Sequence, residues 1–227
     1  RYGVSMGILP NDSLPYDPTK IASGFRFHNG RLCLHKSRVA QLEGWFRCRQ
    51  VVYNNYVLSP VSLSPGMMLY RALYFAEQQE ELTPAYFRMT DAEAFQYLLE
   101  KCNVRTRALT ERARRWHFYE RIFNFSTGVA AVPMREFAES IHTRGVLADR
   151  ISEICGVLPE DVCVYAGKSR GARSIHLPLL DEQEKFTDSG IEEPLPTWTI
   201  QVYLNPACAV PQETINAYME QELQRLR

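Results

Sequence analysis

The stretch from Gln41 to Pro60, QLEGWFRCRQVVYNNYVLSP, constrains the fold more than any other part of the chain. Its apolar residues fall at Leu42, Trp45 and Phe46, Val52 and Tyr53, and Tyr56. Steps of three and four put them on one face of an α-helix. Arg49 lies in the middle of that face, four residues before Tyr53 and therefore beside it. A guanidinium keeps its charge, so a half-buried one requires a carboxylate, a phosphate or a set of carbonyls. Two readings fit. One is a structural arginine that reaches a carboxylate or extends to water. The other is a helix that offers an Arg and a Tyr to a phosphorylated ligand.

Leu42-Glu43, Arg49 and Tyr53 occur in an order that resembles the helix following the metal-binding motifs of HD-domain phosphohydrolases. The likeness is to the members similar to deoxynucleoside triphosphate triphosphohydrolases. The opening RYGVSMG is similar to the Gly-Val-x-Tyr-Gly segment that closely follows the last metal ligand there. The resemblance covers roughly Arg1 to Leu99 well and the remainder loosely. Val57 and Ser59 stand where that family is expected to have Tyr and His, and Tyr56 is one position out of register. The resemblance implies the C-terminal part of a metal-dependent phosphohydrolase acting on nucleotide phosphoesters. Its leading expectation is a deoxynucleoside triphosphate cleaved to deoxynucleoside and triphosphate. It further implies a divalent metal held by His, His-Asp and Asp ligands upstream of residue 1, and a homo-oligomer. Arg49 would neutralise phosphate charge, Tyr53 would line the sugar or phosphate pocket, and Tyr56 would join them in substrate binding. No catalytic or metal-ligating residue is expected within this chain.

Other segments are legible from local chemistry. Residues 1–23 read as a loop leading to a short helix near Pro18–Ala22. GFRFHNGRLCLH reads as a β-hairpin, because Asn29-Gly30 suits a two-residue type I′ turn. That turn pairs Phe27 with Leu32 and Phe25 with Leu34 on one face, with Arg26 and Cys33 on the other. His28, Cys33 and His35 do not converge in this register, so no metal site is expected there. The Gln41 helix is expected to stop at Ser59-Pro60, and a second to start near Ser64-Pro65. Thr90-Asp91-Ala92-Glu93 is a capping box opening a helix to about Lys101, with Phe95, Leu98 and Leu99 inward.

The run NVRTRALTERARRWHFYERIF carries Arg105, Arg107, Arg112, Arg114, Arg115 and Arg121 against Glu111 and Glu120. Trp116, Phe118, Tyr119 and Phe123 are interleaved. Such a run suits a helix with a solvated arginine face and an aromatic inner face, or contacts to the phosphates of a nucleotide or RNA, with Arg112 and Arg115 as the candidate phosphate or effector contacts. After a break at Gly128–Pro133, a helical pattern resumes with Phe137, Ile141, Leu147, Ile151 and Ile154 inward. Gly145 is expected to split it and Gly156 to end it. Strand character follows at 162–165, 174–179 and 197–204, then a last helix from Pro211. AGKSRGAR at 166–173 lacks the first glycine of a P-loop and leads into a strand pattern. Lys168 and Arg170 remain candidate phosphate or effector contacts. No Gly-x-Ser-x-Gly and no His-Glu-x-x-His occurs.

The expected fold is mainly α with a small C-terminal α+β subdomain. Residues 1–126 form the helical part with its hairpin near 24–35, and residues 127–227 form the α+β part. A formal net charge of zero gives no global field to draw nucleic acid or a membrane. The six cysteines contain no C-x-x-C spacing, which fits reduced thiols in a cytoplasmic protein. The first residue is Arg, as expected of a processed chain or of a piece of a longer one. The alternative to the enzyme reading is a non-catalytic regulatory or oligomerisation module that binds an effector nucleotide or a protein partner.

Overall fold

The computed structural model describes residues 2–10, 14–128, 132–168, 177–187 and 198–226. In chain order they form α1 (Tyr2–Ser5), α2 (Pro18–Gly24), β1 (Phe25–His28), β2 (Arg31–His35), α3 (Val39–Val52), α4 (Pro60–Gln78), α5 (Asp91–Glu100) and α6 (Val104–Arg114). There follow β3 (Glu120–Thr127), α7 (Val132–Glu139), α8 (Ile141–Cys155), β4 (Val162–Lys168), β5 (Leu179–Leu180), β6 (Phe186–Thr187), β7 (Trp198–Leu204) and α9 (Gln212–Arg225). The described residues are thus mainly helical with a smaller β part. No helix among them is long and apolar enough to cross a membrane.

The chain divides into two compact units, Arg1–Leu58 with Ser169–Pro196, and Ser59–Lys168 with Thr197–Arg227. A boundary after residue 126 falls inside β3, whose pairing with β7 from Glu120 to Thr127 keeps both sides of it in one sheet.

In the first unit, the Asp17 carboxylate caps α2 by accepting from Thr19 N at 2.8 Å, and Pro18 opens the helix. The β1–β2 hairpin has the register read from sequence: Phe25 faces Leu34, Arg26 faces Cys33 and Phe27 faces Leu32. Asn29 and Gly30 both have positive φ, 49° and 76°, as a type I′ turn requires. The second strand also pairs in parallel with β5, Leu34 beside Leu179, giving the sheet order β1-β2-β5-β6. Leu34, Leu42 and Leu179 are buried together, with Phe25, Trp45 and Phe46 against them. Of the strand expected at 174–179, residues 174–176 lie outside the described residues.

The second unit holds an antiparallel sheet of order β3-β7-β4. Ile200, Val202 and Leu204 of β7 join Leu147 and Ile151 of α8 and Ile215 and Met219 of α9 in one cluster. Tyr203 of the same strand joins Cys163 of β4, Met68 and Phe75 of α4 and Leu109 of α6 in another. Strand alternation thus feeds two hydrophobic clusters. Each fully buried side chain of this size contributes about 1.5–3 kcal/mol.

Four expectations are corrected. The fourth helix begins at Pro60, not near Ser64: Ser59 is its cap, accepting from Ser62 N at 3.3 Å. Ser64 is buried and accepts instead from Tyr119 N at 2.8 Å, so its hydroxyl positions the chain before β3. The arginine run is helical only to Arg114, and Glu120–Thr127 is a strand whose Ile122, Phe123 and Phe125 pack on the sheet's core. Gly145 does not split its helix; the break is at Ser140, which caps α8 through Thr143 N at 3.2 Å. Gly145 instead makes room for Tyr74, whose ring carbon would lie 2.3 Å from an added Cβ. Lastly, Ile154 is 48% exposed rather than inward.

Candidate functional site

Helix α3 is anchored by Leu42 and Cys48, both buried, and by Gly44, where an added Cβ would lie 2.4 Å from the Pro15 carbonyl oxygen. Arg49 comes in its last turn. Past Val52 the helix widens to a π-turn over Tyr53–Val57, closed by Leu58 N donating to Tyr53 O at 2.8 Å. The widened turn ends the helix, as π-turns commonly do at helix C-termini. Asn55 Nδ2 donates to Val51 O at 2.9 Å, satisfying one of the carbonyls along this stretch.

The π-turn starts at Tyr53, and Arg49 Nη2 donates to its phenol oxygen at 3.0 Å. The guanidinium carbon also lies 4.3 Å from the centre of the same ring. Both residues are half-buried. Among the described residues, Arg49 has no carboxylate within ion-pair distance. An arginine can only donate, and a phenol that accepts from it keeps its own hydrogen to donate. The pair therefore offers donors alone, which suits an acceptor-rich anion such as a phosphate. The chain's opening lies beside it: a Cβ on Gly3 would come within 2.6 Å of Val52 Cγ2 on α3. Tyr56 is on the π-turn and 44% exposed.

In the second unit the arginines are differently placed. Arg71 is 4% exposed on α4. It bonds the Asp149 carboxylate, Gly145 O at 2.8 Å and Pro159 O at 3.0 Å, and Tyr74 donates to the other Asp149 oxygen at 3.0 Å. Arg112 Nη1 donates to Asp161 at 2.8 Å and to the Tyr119 phenol at 2.6 Å, while Asn205 also donates to Asp161. Arg115 pairs with Glu111 at 2.7 Å. Arg112 and Arg115 thus enter separate ion pairs. Lys168 ends β4, exposed, opposite Trp198. Arg170 lies outside the described residues.

Sequence reading missed Arg71 as a site of this kind. The signal was present, since Arg71 interrupts the apolar stripe of Met68, Ala72 and Phe75 as Arg49 interrupts its own. A cleft of about 660 Å³ is lined by Tyr74, Asn103, Arg105, Asp149 and Glu153 among others. Two of its charges are already paired, Asp149 with Arg71 and Arg105 with Glu160 at 3.7 Å. Burial pushes the Cys163 thiol up to about 12 and the Cys102 thiol up to about 11, so neither is a thiolate nucleophile at neutral pH. No three His, Cys, Asp or Glu side chains among the described residues gather into a metal site.

No family model and no curated protein matches the sequence. Solved structures do. One is described as a hypothetical protein from Aquifex aeolicus, with 15% identity and a TM-score of 0.53 over 90% of this chain and 52% of that one. Another is a phosphohydrolase from Bacteroides thetaiotaomicron, with 10% identity and a TM-score of 0.49 over 89% of this chain and 58% of that one. The Aquifex likeness shows a shared fold. The chain spans a little over half the length of each of these two structures.

Proposed function

We propose that this chain is the C-terminal part of an HD-type, metal-dependent phosphohydrolase whose nucleotide phosphates are met by Arg49 and Tyr53. The supporting observation is the donor-only Arg49–Tyr53 pair at the start of a π-turn, with no described carboxylate on the arginine. It stands at the positions where Leu42-Glu43, Arg49 and Tyr53 resemble the family helix. Arg49 would neutralise phosphate charge as it develops, and the Tyr53 hydroxyl would donate to a phosphate or sugar oxygen. Val57 and Ser59 replace the expected Tyr and His, so the nucleotide preference of this protein would differ from that of its resembling family. The divalent metal would polarise the phosphate and supply an activated water when bound. The described residues hold no ligand set for it, and its ligands would belong to another part of the whole protein.

The test is hydrolysis of deoxynucleoside triphosphates by the whole protein carrying Arg49→Ala. Turnover should fall by about 10²-fold or more, with the circular dichroism spectrum unchanged. Near-normal turnover together with weaker assembly by light scattering would overturn the proposal in favour of a regulatory or oligomerisation module.

A further inference from the structure

Helix α6 ends in a left-handed turn of a kind normally given to glycine. Trp116 N donates to Ala113 O at 3.2 Å and His117 N donates to Arg112 O at 3.0 Å. These are the paired bonds of a Schellman motif, and Trp116 occupies its left-handed position with a φ of 62°. The end of α8 is built in the same way. There Gly156 N donates to Glu153 O, Val157 N donates to Ser152 O, and Gly156 has a φ of 64°. At one helix end the chain places the residue that meets no Cβ clash. At the other it places an indole, at a cost in backbone conformation. Burial does not offset that cost, because Trp116 is 78% exposed. Its ring meets Phe118, with centroids 5.5 Å apart.

The run that carries Trp116 is cationic. Arg107, Arg114, Arg115 and Arg121 are all exposed, as is His117. The acidic groups against them are Glu111, whose single carboxylate serves both Arg114 and Arg115 at 2.8 and 2.7 Å, and Glu120. The other arginines of the run, Arg105 and Arg112, are occupied by Glu160 and Asp161. An exposed aromatic ring beside two arginines that share one carboxylate, and so keep a net positive charge, suits an unstacked base and its phosphates. A duplex keeps its base faces stacked inside and offers none to the ring. A mononucleotide would find only open surface at a ring this exposed, whereas a strand adds a phosphate contact at each nucleotide.

We propose that the turn after α6 binds single-stranded nucleic acid, with Trp116 stacking on a base and Arg114 and Arg115 contacting the backbone. The measurement is fluorescence anisotropy of a labelled oligodeoxythymidylate titrated with the whole protein at low salt. Trp116→Ala should weaken binding about tenfold and Trp116→Phe much less. Trp116→Gly relieves the left-handed strain, so it should lose the same affinity while its thermal midpoint stays at or above that of the parent protein. The double substitution Arg114→Gln and Arg115→Gln should lower the log–log salt slope by about 1.4. Unchanged affinity in the Ala and Gly variants would overturn the proposal. So would displacement of the strand as readily by polyglutamate or by a duplex of equal length, the former pointing to an acidic protein partner.

Discussion

Arg49 and Arg71 both interrupt the apolar face of a helix, and both lie over an aromatic ring, at 4.3 Å from Tyr53 and 4.4 Å from Phe75. Their neighbours separate them. Arg71 is closed in by a carboxylate and two carbonyls, whereas Arg49 has a phenol and no described carboxylate. A charge on an apolar face therefore announces only that an anion is required. Whether the protein supplies that anion or leaves it to a ligand is decided by residues far away in sequence.

The widest gap between the two should appear in stability. Arg71→Ala strands Asp149 and leaves the Gly145 and Pro159 carbonyls without their donor, a loss of about 3 kcal/mol in urea unfolding. A loss below about 1 kcal/mol would erase the distinction. The next effect concerns the arginine most like Arg71. Arg112 holds Tyr119, whose phenol is pushed well above its usual range, first by burial. A phenol whose folded value is raised gives stability that is complete below its unfolded value, near pH 10, and is lost as pH rises toward the folded one. Urea midpoints should accordingly decline above about pH 10. Tyr119→Phe, with nothing to ionise there, should start lower at neutral pH and decline less steeply. An equally steep decline would show that Tyr119 is not the group responsible.

The smallest effects belong to the arginines the fold does not need. Arg49→Ala should cost about 0.5–1 kcal/mol, the worth of an accessible cation–π contact. A cost equal to that of Arg71→Ala would mean that Arg49 is structural after all. Arg115→Ala, which removes an exposed pair with Glu111, should leave the urea midpoint where it was.

What the sequence disclosed follows the same division between near and far. The Asn29-Gly30 turn, the Thr90–Glu93 capping box and the Gly156 helix end each depend on residues within a few positions, and each formed as read. The Arg49–Tyr53 contact was legible for the same reason, since both belong to one helical turn. The acceptor of Arg71 lies 78 residues away, and no local pattern names it. The end of α6 was hidden because Trp116 stands where a glycine would have marked the stop, so the helical period seemed to run on into β3. Strand character was legible up to Leu179, the first residue of β5, but its parallel pairing with β2, more than a hundred residues away, was not.

That last pairing bears on how the protein is made. The β1–β2 hairpin is synthesised before its partner: the strand that covers the free edge of β2 comes more than a hundred residues later, after Ser59–Lys168. Until then the edge at Leu34 and His35 is an open template for another nascent chain. The turn at Asn29-Gly30 folds at once, but the sheet it begins is completed only when Leu179 and Leu180 arrive. Translation that stalls between the two leaves that edge uncovered.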